Sequence, residues 1–256
     1  MNTIFKNNYY GLIQLIILLA VILLSSVHIK TVMAENQMPV GKFSNLSLDK
    51  NLPDDWEPLT FNKIDHYTQY NLFDDNDTSV IKAESQASAS GLIRKIKIDP
   101  GKYPVIKWRW KITNIYKRGN VTQKTGDDCP ARIYIAFEYN PDDVGFFEKV
   151  KFYAIKLIYG EYPPIAAINY IWASKAPIGT IVENPYTRRV KMIVVESGKK
   201  KLNFWMAEER NIYNDYITAF GKKPPIISGV AIMTDSDNTG ESAVSYYGDI
   251  VFESKQ

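Results

Sequence analysis

The chain has one cysteine and two histidines in 256 residues, and each scarcity closes a line of chemistry. A lone Cys129 forbids any intramolecular disulfide, even in an oxidising compartment. It stands between Asp128 and Pro130, where a neighbouring carboxylate raises a thiol pKa. A small packing residue is expected there, not a nucleophile. One histidine, His28, lies near the amino terminus, which leaves His66 for any His-dependent triad. His66 sits in an ordinary strand-like run, Asp65-His66-Tyr67-Thr68. A zinc site built from His and Cys lacks ligands. Neither Gly-x-Gly-x-x-Gly nor the phosphate-binding P-loop pattern occurs. Charge of one sign is also scarce: 31 basic residues against 28 acidic ones give +3, and the one basic run is Lys199-Lys200-Lys201. Nucleic-acid binding normally leaves a stronger basic imbalance, so no nucleic-acid partner is expected. No internal repeat and no Pro/Gly/Ser-rich linker divides the chain.

What is present begins with Lys6 in a polar lead and an apolar run from Leu12 to Val27. That run is short for a membrane span, which needs about 20 residues, and fits a secretory signal segment. Val32-Met33-Ala34 supplies the small and branched residues of a cleavage site, so residues 1–34 are expected to be a signal peptide. The competing reading is an uncleaved anchor, the one case in which membrane contact is expected. Either reading places the remainder outside the cytoplasm, periplasmic or secreted. Residues 35–51 are polar with scattered apolar positions and read as a tether. Residues 52–253 read as a single domain.

Within that domain, apolar and polar residues alternate with the period of a half-buried strand. In Ile106-Lys107-Trp108-Arg109-Trp110-Lys111-Ile112 the two tryptophans and two isoleucines face the core, and Lys107, Arg109 and Lys111 face the other way. Residues 132–138 repeat the pattern, with Arg132, Tyr134 and Glu138 on the polar side. Further strands are expected over 56–61, 67–73, 79–84, 89–98, 168–173, 188–196, 203–208, 226–234 and 242–252. Two helical stripes interrupt them: Phe147, Val150, Ala154 and Leu157, and then Ile212, Tyr216 and Ala219 with Asn211 as a candidate cap. Many strands with two short helices predict a mainly β protein, a jelly-roll-like β-sandwich. With 13% aromatic residues, packing can supply the stability that disulfides cannot.

Several pieces occur in a recognisable order. They are Trp108-Arg109-Trp110, Gly126-Asp127-Asp128 followed by Arg132, Tyr170-Ile171-Trp172-Ala173, and Asn184-Pro185-Tyr186. After them come Arg210 with Asp215-Tyr216, Met233 to Thr239, and Tyr247-Gly248-Asp249-Ile250. Over roughly residues 52 to 253 this set resembles an uncharacterised bacterial family, domain of unknown function 3047. The resemblance implies an envelope protein with a jelly-roll domain akin to galactose-binding-like sandwiches. It implies no activity. Cys129 stands where the family pattern leads one to expect an aromatic or small residue.

The chemistry left open needs only carboxylates, guanidinium groups and aromatics. Asp235, Asp237, Thr239 and Gly240 match the opening of a calcium loop, but its twelfth position is Tyr246 instead of glutamate and both flanks read as strands. An EF-hand is therefore excluded. No cofactor is expected; a carboxylate-rich calcium site stays open beside the preferred reading, in which Asp235 and Asp237 shape a turn. Arg109 and Arg132 need solvent or a carboxylate, and Asp127, Asp128 and Asp235 can supply one. The bland outcome is an ion-pair network. The sharper one is a shallow ligand-binding face formed by Arg109, Asp127, Asp128, Arg132, Asp235 and Asp237, with Tyr134 or Trp172 stacking on a sugar ring. Glu208-Glu209 is expected to favour the start of the following helix, and Asn184-Pro185-Tyr186 to form a turn. The expected role is non-catalytic recognition of an envelope glycan or a partner protein. The alternatives are a carboxylate-dependent glycan hydrolase or lyase and a purely structural envelope protein.

Overall fold

The computed structural model describes residues 36–48, 52–140, 145, 148, 149, 152, 153, 156 and 163–255. Contacts divide the chain into two units, residues 1–38 and 39–256. The expected signal segment lies outside the described residues. Of the first expected helix, Phe147, Val150, Ala154 and Leu157 also lie outside them, while Glu148, Lys149, Phe152, Tyr153 and Lys156 are helical.

Thirteen strands build two sheets among the described residues. In chain order they are β1 (Gln37–Gly41), β2 (Glu57–Leu59), β3 (Gln69–Asp74), β4 (Ser79–Gln86), β5 (Ala89–Ile98), β6 (Val105–Ile112) and β7 (Ala131–Phe137). After these come β8 (Ala166–Ala173), β9 (Ile181–Asn184), β10 (Thr187–Ser197), β11 (Met206–Asn211), β12 (Ile227–Asp235) and β13 (Ser242–Glu253). The first sheet runs β11-β6-β13-β4-β3, with β1 also paired to β13. The second runs β2-β5-β12-β7-β8-β10-β9. The β8/β10 pair is parallel. The fold is the expected jelly-roll-like β-sandwich.

Alternation explains the core. Ile106, Trp108, Trp110 and Ile112 are buried while Lys107, Arg109 and Lys111 are part-exposed. Trp108 stacks on Tyr170 at 5.2 Å between ring centroids, and Trp110 meets Trp172 at 6.0 Å. β6 of one sheet therefore packs directly on β8 of the other. Each such ring removes roughly 150–250 Å² from water, which at about 25 cal/mol per Å² is a gross gain of about 4–6 kcal/mol. β8 is buried along its whole length, AAINYIWA, as a central strand covered on both faces must be.

The helix α1 (Ile212–Phe220) forms where Ile212, Tyr216 and Ala219 predict it. Asn211 caps it by accepting the Asn214 N–H at 2.9 Å, and Gly221, at φ 71°, ends it in a left-handed turn. Its Tyr216 ring closes one end of the core against Phe137.

Three local expectations change. Residues 39–45, read as part of the tether, are packed: Val40 and Phe43 are fully buried, and Phe43 lies 5.2 Å from Trp56. A polar composition hid two well-spaced apolar anchors. The strand expected over 203–208 begins at Met206, because Asn203 adopts φ 66° inside the turn after Lys199–Lys201. Glu208 and Glu209 accordingly belong to β11, paired with Trp108 and Lys107, and not to the start of the helix.

Candidate functional site

The residues singled out as one ligand-binding face separate into different places. Arg132, on β7, points away from the inter-sheet core yet is only 1% exposed. Its Nε and Nη2 donate to the two Asp235 carboxylate oxygens at 2.7 and 2.8 Å. Nη2 also reaches the Asp127 carbonyl at 2.6 Å and its carboxylate at 3.2 Å. Nη1 lies 3.7 Å from the Met192 sulfur. The Cys129 N–H gives Asp235 a third donor at 3.1 Å. This bidentate pair joins β7 to the end of β12, so a strand contact already made by backbone is fastened by side chains.

The neighbouring acids are engaged in the same way. Asp127 also accepts from Asn184 Nδ2 at 2.7 Å. Asp128, fully enclosed, accepts from the Asn238 N–H and Nδ2 at 3.3 and 3.1 Å and from the Thr239 N–H at 2.6 Å. Burial pushes the Asp235 carboxyl up to about 8, and the nearby Asp128 and Asp127 charges add to that while Arg132 pulls against it. The donors that surround it are those of an ionised carboxylate. Burial likewise raises the thiol of Cys129, which packs among Val121, Ile171, Ala173, Met192 and Val194. Asp237 is half-buried, and burial with the Asp128 charge raises it too.

Arg109 belongs to the other sheet, where its guanidinium lies 4.6 Å from the Trp205 ring centroid. Trp172 is fully buried between the sheets and donates from Nε1 to the Gly198 carbonyl at 3.1 Å, so its ring is not presented to solvent. Tyr134 shares the Arg132 side of β7 and is part-buried. Directly opposite it on β8 stands Asn169, fully buried, with neither amide atom partnered among the described residues.

A different region is open. Where β3, β4 and β13 run together, a groove of about 860 Å³ is lined by Asp65, His66, Tyr67, Gln69, Glu84, Gln86, Asn114 and Ser242, among others. Tyr67 leaves 48% of its surface exposed. Asn114 donates to the Ser242 carbonyl at 2.7 Å, which fixes one wall. Lys82 neutralises Glu84 at 2.9 Å. What remains is a rim of amides and hydroxyls, with the Asp65 carboxylate and the His66 imidazole, around an aromatic ring.

Two carboxylates elsewhere also stand out. Glu208 accepts from Trp110 Nε1 at 3.1 Å, and burial together with the Glu196 charge pushes its carboxyl up to about 7. Glu196 is buried, holds Lys201 at 2.6 Å through one oxygen, and leaves the other without a partner among the described residues.

The family described as protein of unknown function DUF3047 matches residues 54–251. The chain belongs to that family. The family match spans the groove and the Arg132 cluster alike, so both are parts of the shared domain. No curated protein matches the chain in sequence. The carbohydrate recognition domain of Emp47p is similar in structure, with a TM-score of 0.43 and 10% identity over 87% of this chain and 96% of that one. Endoglucanase 3 of Trichoderma harzianum, from family GH12, gives a TM-score of 0.37 and 8% identity over 80% of this chain and all of that one. At these scores neither ligand nor activity carries over.

Sequence reasoning singled out neither the groove nor Asn169. The groove residues come from four separate stretches of chain and share no spacing. A strand pattern that is apolar on both sides of Asn169 was the one available signal, since a polar residue there must be buried.

Proposed function

We propose that this protein is a non-catalytic recognition module for a hydroxyl-rich ligand, an envelope glycan, held in the β3/β4/β13 groove. The observation that carries the reading is the groove's lining: Gln69, Gln86 and Asn114 amides around the exposed Tyr67 ring. Sugar hydroxyls both donate and accept, and an amide side chain offers both functions. An exposed ring suits the apolar face of a pyranose. The leader expected at the amino terminus accords with a ligand outside the cytoplasm. In this reading the Arg132 cluster is scaffold, holding β7 and β12 of the other sheet in register.

The test is calorimetric titration with a panel of envelope oligosaccharides. Tyr67→Ala should weaken binding about tenfold, close to the ~1.4 kcal/mol upper range of an aromatic contact, and leave Tm unchanged. Unaltered binding in both Tyr67→Ala and Gln86→Ala would remove the groove from consideration.

A second reading, glycan hydrolysis, is favoured by one observation: burial together with the nearby Glu196 charge pushes the Glu208 carboxyl up to about 7, as a general acid requires. Release of reducing ends by the wild type, abolished in Glu208→Gln, would establish it over the first.

A further inference from the structure

Among the described residues, every lysine and arginine on the strands of the first sheet holds a carboxylate, except Arg109. Lys82 pairs with Glu84 at 2.9 Å, Lys107 with Glu253 at 2.7 Å, Lys111 with Asp75 at 2.7 Å and Arg210 with Asp215 at 2.6 Å. Arg109 makes neither an ion pair nor a hydrogen bond among the described residues. Its seat is nevertheless built. The guanidinium lies 4.6 Å from the Trp205 ring centroid, and a Cβ on Gly248 would stand 2.4 Å from the Arg109 Cγ and Nε. Only glycine leaves that space. Trp205 is itself fixed, because its Nε1 donates to Asp75 at 2.5 Å.

Arg109 opens on a depression of about 470 Å³ whose acids already have partners. Glu209 meets Lys107 at 3.3 Å, Glu208 accepts from Trp110 at 3.1 Å, and Asp249 accepts from the Ser44 N–H and hydroxyl at 2.8 and 2.5 Å. The seat also continues the groove. Register sets the groove residues Gln69, Glu84 and Val244 in one row, and Asn71, Lys82, Tyr246 and Lys111 in the next row along the same sheet face. Lys111 Nζ lies 4.5 Å from the Tyr246 ring centroid and 5.1 Å from that of Trp205. Arg109 follows Lys111 on the same side of β6. From Thr113, whose N–H bonds the Val244 carbonyl at 3.0 Å, Arg109 is four residues away, roughly 13 Å at the rise of a strand.

We propose, on the reading of the groove as a glycan site, that its ligand is a uronic-acid oligosaccharide and that Arg109 takes one of the ligand's carboxylates. The guanidinium fork matches a carboxylate in two parallel hydrogen bonds. One uncompensated cation suits an isolated carboxylate. A nucleic acid, with a phosphate at every step, would need several. The Tyr246 and Trp205 rings lie along the path between groove and guanidinium, where sugar rings can pack on them. Glu84, on the same path, is neutralised by Lys82.

Oligogalacturonates and their methyl esters differ only in whether the carboxylates are free, and both would be titrated into the full chain by calorimetry. The free acid should bind about tenfold tighter than the ester, an advantage that shrinks as salt is added. That advantage should vanish in Arg109→Gln. Arg109→Lys keeps the charge and loses the fork, so it should retain part of it. Equal affinity of acid and ester for the wild type, both weakened in Tyr67→Ala, overturns the inference and leaves the groove standing. An acid preference undiminished in Arg109→Gln overturns it too, as does failure of the acid to bind where neutral oligosaccharides bind. Acid binding lost in Arg109→Gln but indifferent to Tyr67→Ala and Gln86→Ala would overturn the groove reading while upholding Arg109 as the carboxylate's seat.

Discussion

Arg109 and Arg132 are both outward-facing strand residues, one on each sheet, Arg109 within β6 and Arg132 at the start of β7. Arg109 keeps part of its surface in water and sits over the Trp205 ring. Arg132 is sealed, and its guanidinium is met by two carboxylates, a carbonyl and a sulfur. The difference lies in what covers each sheet. Over β6 there is one ring at the surface; over β7 lies the chain that brings Val121, Asp127 and Cys129 down onto the sheet. Strand alternation tells which side of a sheet a residue takes and nothing about what the rest of the chain lays over that side.

Substitution should separate the two arginines sharply. Arg132→Ala leaves Asp235 and Asp127 buried without their cation and should cost about 3–5 kcal/mol, a drop in denaturation midpoint without a change in the final unfolded signal. An Arg132→Met/Asp235→Leu pair should recover a good part of that, because the charge left unpaired in the single variant goes with its partner. A cycle showing simple additivity would mean the pair does not act as a unit. Asn211→Ala, which removes a cap far from either arginine, should cost about 1 kcal/mol and calibrates the scale. Arg109→Ala should cost only about 0.5–1 kcal/mol, the worth of an exposed cation–ring contact. A loss as large as that of Arg132→Ala would erase the contrast.

A further effect expected is a change of slope with pH. Glu208 is raised to about 7 in the folded chain, against roughly 4.3 unfolded. The folded state therefore binds the proton more tightly between those values. Wild type should be most stable relative to Glu208→Gln near pH 4, and should lose that margin as pH rises through 7. A constant difference between the two across that range would show that burial leaves Glu208 untouched.

Much of the architecture was legible in the chain. The alternating runs at 106–112 and 132–138, the capped stripe after Asn211 and the turn at Asn184–Tyr186 appear where expected, the last with the Tyr186 N–H bonded to the Asn184 side chain at 3.0 Å. Arg132, Asp127 and Asp235, named as a candidate ligand face or ion-pair network, do meet one another, while Asp128 accepts from Asn238 and Thr239 instead. Their placement was not legible, nor was that of Arg109 and Trp172. The first pairing depends on β7 lying beside β12, whose Asp235 comes 103 residues after Arg132, and the second on which face of β8 meets β6.

Composition and local period determined the class of this protein by themselves. Side-chain period two is a property of neighbours in sequence, and it is what makes the strands and the sandwich class legible. Only the tertiary structure decided which polar residues are enclosed and which face water. Burial is a property of the whole chain folded over itself: it closed the Arg132 cluster, left Asn169 and the Tyr116 hydroxyl without partners among the described residues, and opened a groove among residues that the sequence keeps far apart.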